Sequence, residues 1–365
     1  MRSGPPDDVL DGSCAWWPTV TSWLGGTLLS ATVPILSGHV TGKAGQDVPE
    51  QVTLSVPRYA APGPGQNVID WRPGQNLVHP LARYGQELQV SINVASQVTG
   101  DVWTTRVGRF LITDWADDDS GQITVAGDGL LRRSIDDALT TPLVPLAGGT
   151  LMSEARRLLP AGMGASFDAA LVDRACPKSM AWSSNRRVAL QEIADAWPAL
   201  LRTDEWGQVL FEAPLPDVPV PVLYLTDGVR GTVIKAPRTD TRSDSFNRVV
   251  ARSSAVDTAD IQAIAEQTTG PMATTGPYGP VTKIFSSPLI ATTSAALASA
   301  KTVLANALRP TRVLPLQLAP DPRITIDDAL SATRNGETVL GYATAYDLPL
   351  TVGDGVMRVD LGISG

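Results

Sequence analysis

The sequence predicts a mainly β fold with α+β parts, in which two β-rich regions flank a small α/β module. Three observations carry this. Apolar and polar residues alternate over short segments in both halves of the chain, the period of a half-buried strand. The apolar period lengthens to that of a helix between about 148 and 201 and again over 292–308. The chain has only 2 His and 2 Cys in 365 residues, which leaves a metalloenzyme, a thiol enzyme or a Ser-His-Asp hydrolase little to work with.

Residues 1–28 start rich in Pro, Gly and Asp and are expected to form an N-terminal arm. Trp16, Trp17 and Trp23 fall within it, either as a buried edge cluster or as a candidate interface, since aromatic side chains are favoured where subunits meet. From Val33 the pattern is that of strands. Val52, Leu54 and Val56 alternate, as do Leu88, Val90, Ile92 and Val94, and then Phe110 and Ile112. Asp117-Asp118-Asp119-Ser120-Gly121 reads as the turn of a hairpin that resumes at Ile123 and Val125. Pro/Gly clusters at 61–65 and 72–74 mark one long loop. Residues 29–145 are therefore expected to form a barrel or sandwich, with a helical-looking piece from Leu130 to Leu139.

Residues 146–213 form the α/β module. Leu151, Ala155, Leu158 and Leu159 share a helix face, with Thr150 as N-cap and Pro160 as stop. A second helix starts near Ser184, carries Leu190, Ile193, Ala194, Trp197 and Leu201, and ends or kinks at Pro198. Asp204-Glu205-Trp206-Gly207 then joins two short strands. Pro214, Pro216, Pro219 and Pro221 stiffen the connection to the second β region, 214–365. That region holds strands at 222–225 and 232–235, an Ala-rich helix over 292–309 with Leu297, Ala300, Leu304 and Leu308 on one face, and alternation at Leu314–Leu318, Leu340–Tyr346 and Met357–Leu361.

The formal net charge is −8, the pI about 4.9 and the mean hydropathy +0.02. No Lys/Arg cluster exceeds a pair, so no sequence-specific nucleic-acid binding is expected; an acidic surface instead repels DNA, which suits a conduit. No membrane span and no signal peptide are expected, because no stretch approaches about 20 apolar residues and the N-terminus lacks an apolar core. Cys14 and Cys176 read as reduced thiols, as in a chain assembled in a reducing cytoplasm. His39 and His79 have no ligand-spaced partner, so no metal site and no cofactor are expected. Asp119-Ser120-Gly121 has the wording of an aspartic-protease motif, yet a solvated turn explains it fully, and the Asp117–Asp119 run lacks the spacing of a calcium loop. No catalytic set is assigned.

A series of short signatures remains. Val33-Pro34-Ile35 with Gly38 comes first, then Leu81 with Tyr84-Gly85-Gln86-Glu87-Leu88, and Gly108-Arg109-Phe110-Leu111-Ile112. Phe246-Asn247-Arg248-Val249, the Tyr278-Gly279 turn with Ser287-Pro288, the Ala-rich helix, and Leu348-Pro349-Leu350 with Gly353 and Met357 follow. In this order, over roughly Val33 to Leu361, the chain resembles a minor tail protein of the tail-tip (baseplate) hub group of long-tailed phages infecting actinobacteria. The resemblance implies a homotrimer with two tail-tube-like β-barrels per subunit, a six-barrel ring around the DNA channel, and a decorating α/β module. It also implies tail-tube proteins above, tip or spike proteins below, a tape measure protein inside, and a place in the virion. The alternative is a carbohydrate- or receptor-binding tail module, for which 9 Trp would supply stacking platforms.

Overall fold

The computed structural model describes residues 1–237, 245–253, 261–287, 290, 292–308 and 312–363. A short helix α1 (Asp7–Leu10) precedes strands β1 (Cys14–Leu24), β2 (Thr27–Ser30), β3 (Ser37–Lys43), β4 (Glu50–Pro57), β5 (Tyr59–Ala60), β6 (Ile69–Asp70), β7 (Gln86–Ser96), β8 (Val102–Asp117) and β9 (Gln122–Gly129). The middle holds α2 (Arg132–Asp136), α3 (Leu151–Leu158), β10 (Ala165–Phe167), α4 (Arg186–Ala196), β11 (Leu200–Thr203) and β12 (Val209–Glu212). Then come β13 (Leu223–Thr226), β14 (Val233–Lys235), β15 (Arg248–Ser253), β16 (Gln262–Glu266), β17 (Thr282–Ser287), α5 (Thr293–Leu308), β18 (Arg312–Leu318), β19 (Ala329–Arg334), β20 (Glu337–Pro349) and β21 (Met357–Ile363).

The fold is mainly β, and one 13-stranded sheet dominates it, in the order β14-β18-β21-β20-β3-β4-β9-β8-β7-β1-β2, with β13 attached through β19 to β20. Its early strands and its late strands meet at a single ladder, Ala345–Pro349 of β20 against His39–Lys43 of β3. Earlier along its length β20 also pairs with β19 and β21, so one strand ties three neighbours together. Tyr346 faces Gly42 in this ladder, and a Cβ there would lie 2.3 Å from the tyrosine ring, so only glycine fits.

The alternating segments all contribute to one core. Val52, Leu54, Val56, Leu88, Val90, Ile92, Val94, Met357, Val359 and Leu361 are buried together, each large side chain contributing about 1.5–3 kcal/mol of transfer free energy. A second core lies between α3, α4 and the β10-β12-β11 sheet, around Leu151, Leu158, Ile193, Phe211 and Trp197. Thr150 caps α3 through a capping box with Ser153, and Asn185 caps α4. A third core forms where α5 packs on β15 and β16 of the separate β16-β15-β17 sheet.

Three expectations need correction. Residues 1–28 do not form an arm: β1 pairs with β7 from Cys14 to Leu24, and the segment before it is pinned. Arg2, 6% exposed, donates to the Ile324 carbonyl at 2.7 Å, to Tyr346 Oη at 2.7 Å and to Glu50 Oε1 at 2.6 Å. Arg323 holds Pro5 and Asp7 in the same way. A charge this close to the start of a chain reads as solvated, but here it neutralises a buried carboxylate. The helix after Gly129 covers only Arg132–Asp136. Of the expected face of α5, Ala300, Leu304 and Leu308 pack in the third core together with Ala296, whereas Leu297 is 37% exposed. α5 belongs to the third core, on β15 and β16. Leu289 and Pro288 lie outside the described residues.

Arg2→Met is expected to cost about 3–5 kcal/mol, because Glu50 stays buried without its cation. Urea unfolding measures this, and adding Glu50→Gln should restore part of the loss.

Candidate assembly surfaces

Strand β1 places its tryptophans on opposite sides. Trp16 turns inward, packs against the large core and donates from Nε1 to the Leu350 carbonyl at 3.0 Å. Trp17 and Trp23 share the outer face with Thr19 and Thr21; Trp17 is 40% exposed and Trp23 half-buried. The Arg109 guanidinium lies 5.6 Å from the centre of the Trp23 ring. Arg109 and Arg133 both grip the buried Glu87 carboxylate, the latter at 2.5 Å, so two cations share one anion beside Trp23. The three tryptophans are thus neither one buried cluster nor one patch.

The α/β module sits beside this face. Trp206, in the turn between β11 and β12, stacks on Arg106 of β8, with the guanidinium carbon 3.1 Å from the ring centre. Burial lowers the pKa of that guanidinium, while Glu205 opposes the shift. Gln89 donates to the Glu205 carbonyl at 3.4 Å. Gly207, at φ +81°, approaches Leu130 so closely that a Cβ would lie 2.3 Å from Cδ1. Arg187 donates to the Asp47 carbonyl and Arg202 to that of Ile326, at 2.8 and 2.9 Å, so the module is fixed to early and late strands alike.

The signature residues occupy several distinct settings in the fold. Asn247 is fully buried; its Nδ2 donates to the carbonyls of Met272 and Gly279, both at 2.8 Å, and its Oδ1 accepts from the Val281 amide at 2.7 Å. One side chain therefore shapes the loop carrying Tyr278 and Gly279, the latter at φ +72°. Phe246 packs against the third core with Lys283 Nζ 4.7 Å from its ring centre, and Arg248 pairs with Glu266 at 2.9 Å. Phe110 is fully buried, fitted between Gly108 and Gly127. Tyr84 is exposed, Gly85 takes φ +102°, and Pro349 is buried opposite His39.

The long loop between β4 and β7 has its own small core. Trp71 is fully buried and donates to the Ala60 carbonyl at 3.1 Å. His79 packs edge-on to it, and its Nδ1 accepts from the Leu81 amide at 3.1 Å. Tyr59, Val68, Leu77, Val78 and Tyr84 are exposed around it. At its base Arg58 and Arg72 approach Asp117, at 3.4 and 3.8 Å, and Asp119 is an exposed turn residue at φ +61°. The Asp117–Asp119 run thus answers to guanidinium groups and to its own backbone amides. Among the described residues no three His, Cys, Asp or Glu side chains come together as a metal site.

No family model and no curated protein sequence matches the chain. Solved structures do. A tail protein from Neisseria meningitidis MC58 superposes with a TM-score of 0.65 at 13% identity, over 96% of this chain and 97% of that one. This is the fold of a tail protein. The 43 kDa tail protein of prophage MuSo2 from Shewanella oneidensis gives 0.63 at 12% identity, over 94% and 97%. Prophage tail protein gp18 from Listeria monocytogenes EGD-e gives 0.53 at 7%, over 94% of both chains.

Within this tail-protein fold two residues can be tested directly. Asn247→Ala should leave two carbonyls and one amide without partners, each costing about 1–3 kcal/mol, and speed hydrogen exchange at the Val281 amide. Burial holds the His79 imidazole below its ordinary value of 6.5. The unfolded chain takes up a proton near that pH and the native loop does not. Stability from this residue is therefore complete above about pH 6.5 and is lost as pH falls through the lower native value. His79→Asn, whose Oδ1 can accept the Leu81 amide without titrating, should flatten the melting temperature between pH 7 and 5.

Proposed function

We propose that the chain is a structural subunit of a phage tail tip, in the virion, and that it has no catalytic role. The carrying observation is the likeness to tail proteins along nearly the whole length, with 96% of this chain and 97% of the Neisseria protein superposed. In this reading the early strands of the large sheet and the late strands form two tube-like barrels, and residues 146–213 form the decorating module. Three copies make a six-barrel ring that continues the tail tube and lines the path of DNA. Tail-tube proteins lie above, tip or spike proteins below, and the tape measure protein inside, in a phage of an actinobacterial host, assembled in the host cytoplasm.

Two physical features support it. The net charge of −8 repels phosphate, which favours free passage over adhesion. Among the described residues no three His, Cys, Asp or Glu side chains gather as a metal site, which suits positioning rather than turnover. The glycan-binding alternative is weaker. One face of Trp23 is taken by Arg109 and one of Trp206 by Arg106, which leaves Trp17 as the open outer ring of β1.

Native mass measurement of the purified chain, together with imaging of assembled tails, tests the proposal. Three copies in a closed ring at the tip is the expected result. Another copy number, or a position outside the particle, would overturn it.

A further inference from the structure

The large sheet has one outward face that nothing above uses, and it crosses the ladder between β20 and β3 without a break. Directly opposite residues of an antiparallel pair point to the same side. The register therefore sets Gln317, Arg358, Asp347, Thr41, Gln51 and Asp128 in one row over β18, β21, β20, β3, β4 and β9. Their chain neighbours Leu316, Val359, Tyr346, Val40 and Val52 are buried in the large core, so the row looks away from it. A second row runs beside it through His39, Thr53, Ala126 and Asp114, and Ser55 pairs with Thr124 in a third.

Hydroxyl, amide and methyl side chains separate the charges in these rows, and the rows hold no Phe, Tyr or Trp. The cations are matched. Arg358 lies opposite Asp347, whose Oδ1 is also 2.7 Å from His39 Nδ1. Lys43 and Asp360 flank Ala345 from its two sides, and the lysine charge acts on that carboxylate. A protein grips DNA through unmatched Lys and Arg on phosphates and through aromatic rings on bases. These rows offer neither. The opposite face, on β1, β7 and β8, differs: it carries Trp17 and the stack of Arg106 on Trp206 that seats the α/β module. The dimensions also agree with a conduit. The sheet runs through eight contiguous strands from β14 to β8. Three copies would supply about 24, which at a spacing of about 4.8 Å and a tilt of about 40° close a wall roughly 45–50 Å across at the backbone, wide enough for duplex DNA.

We propose that the face carrying Asp347, Thr41, Thr53 and Thr124 is the channel wall over which DNA slides, and that Asp347 and Asp360 keep its cations from gripping the phosphates. This rests on the three-copy ring proposed above, and it names the side of the subunit that looks inward.

Thr53→Lys/Thr124→Lys tests this in phage particles that carry the variant, because it adds unmatched cations to the face without touching the ladder between β20 and β3. DNA release triggered in vitro should slow at least tenfold at low salt and recover as salt rises, since each new phosphate contact displaces counterions. Two lysines at the exposed end of the β7–β8 hairpin, Val98→Lys/Val102→Lys, should leave release unchanged, and both variants should melt as the unaltered chain does. Particles that hold three copies in a closed ring yet release DNA at an unchanged rate at every salt overturn the wall assignment and leave the ring standing. So does a Thr53→Lys/Thr124→Lys chain that melts normally but is excluded from tails or alters their length, since the face is then a protein contact. A subunit absent from the particle, or present in another copy number, overturns ring and wall together.

Discussion

The molecule depends on one short ladder between β20 and β3. Five residue pairs there join strands from opposite ends of the chain into a single sheet. Tyr346 fills the space above Gly42, and its hydroxyl donates to Glu50 on the next strand at 2.5 Å. Burial pushes that hydroxyl far above its ordinary pKa, so it remains a donor at any ordinary pH. Glu50, buried beside it, would be costly as a lone carboxylate, and Arg2 supplies the neutralising charge. Ladder, ring and ion pair therefore stand or fall together.

Much of the β architecture was legible in the sequence because strand alternation is local. The segments at 52–56, 88–94 and 357–361 announce their inner faces through period two alone, and Thr150 marks the start of α3 without any tertiary information. What escaped is what depends on distant partners. Strand β1 mixes Trp, Thr, Ser and a Pro with no clear apolar period, and only its pairing with β7 makes it a strand. On α5 the exception is Leu297, which stays partly exposed beside the buried Ala296: Leu outranks Ala on any hydropathy scale, whereas close approach to β15 and β16 favours the smaller side chain there.

The candidate surfaces show the same division. Phe246-Asn247-Arg248 and Tyr278-Gly279 stood out as separate strings, and no local rule connects them. The structure does, through hydrogen bonds from Asn247 to carbonyls 25 and 32 residues away. Trp206 was legible only as a turn residue; its seat on Arg106 follows from how the module packs. Such features fix the relative position of segments far apart in the sequence.

The pinning of Arg2 also bears on the order in which the chain can mature. Its partners Ile324 and Tyr346 lie 322 and 344 residues further on, and β3 likewise waits for β20. On the ribosome the first strands emerge long before the strand that completes their sheet, so their open edge and the Glu50 carboxylate stay unsheltered until β20 has been made. A product stalled before β20 would lack the strand that shelters that acid.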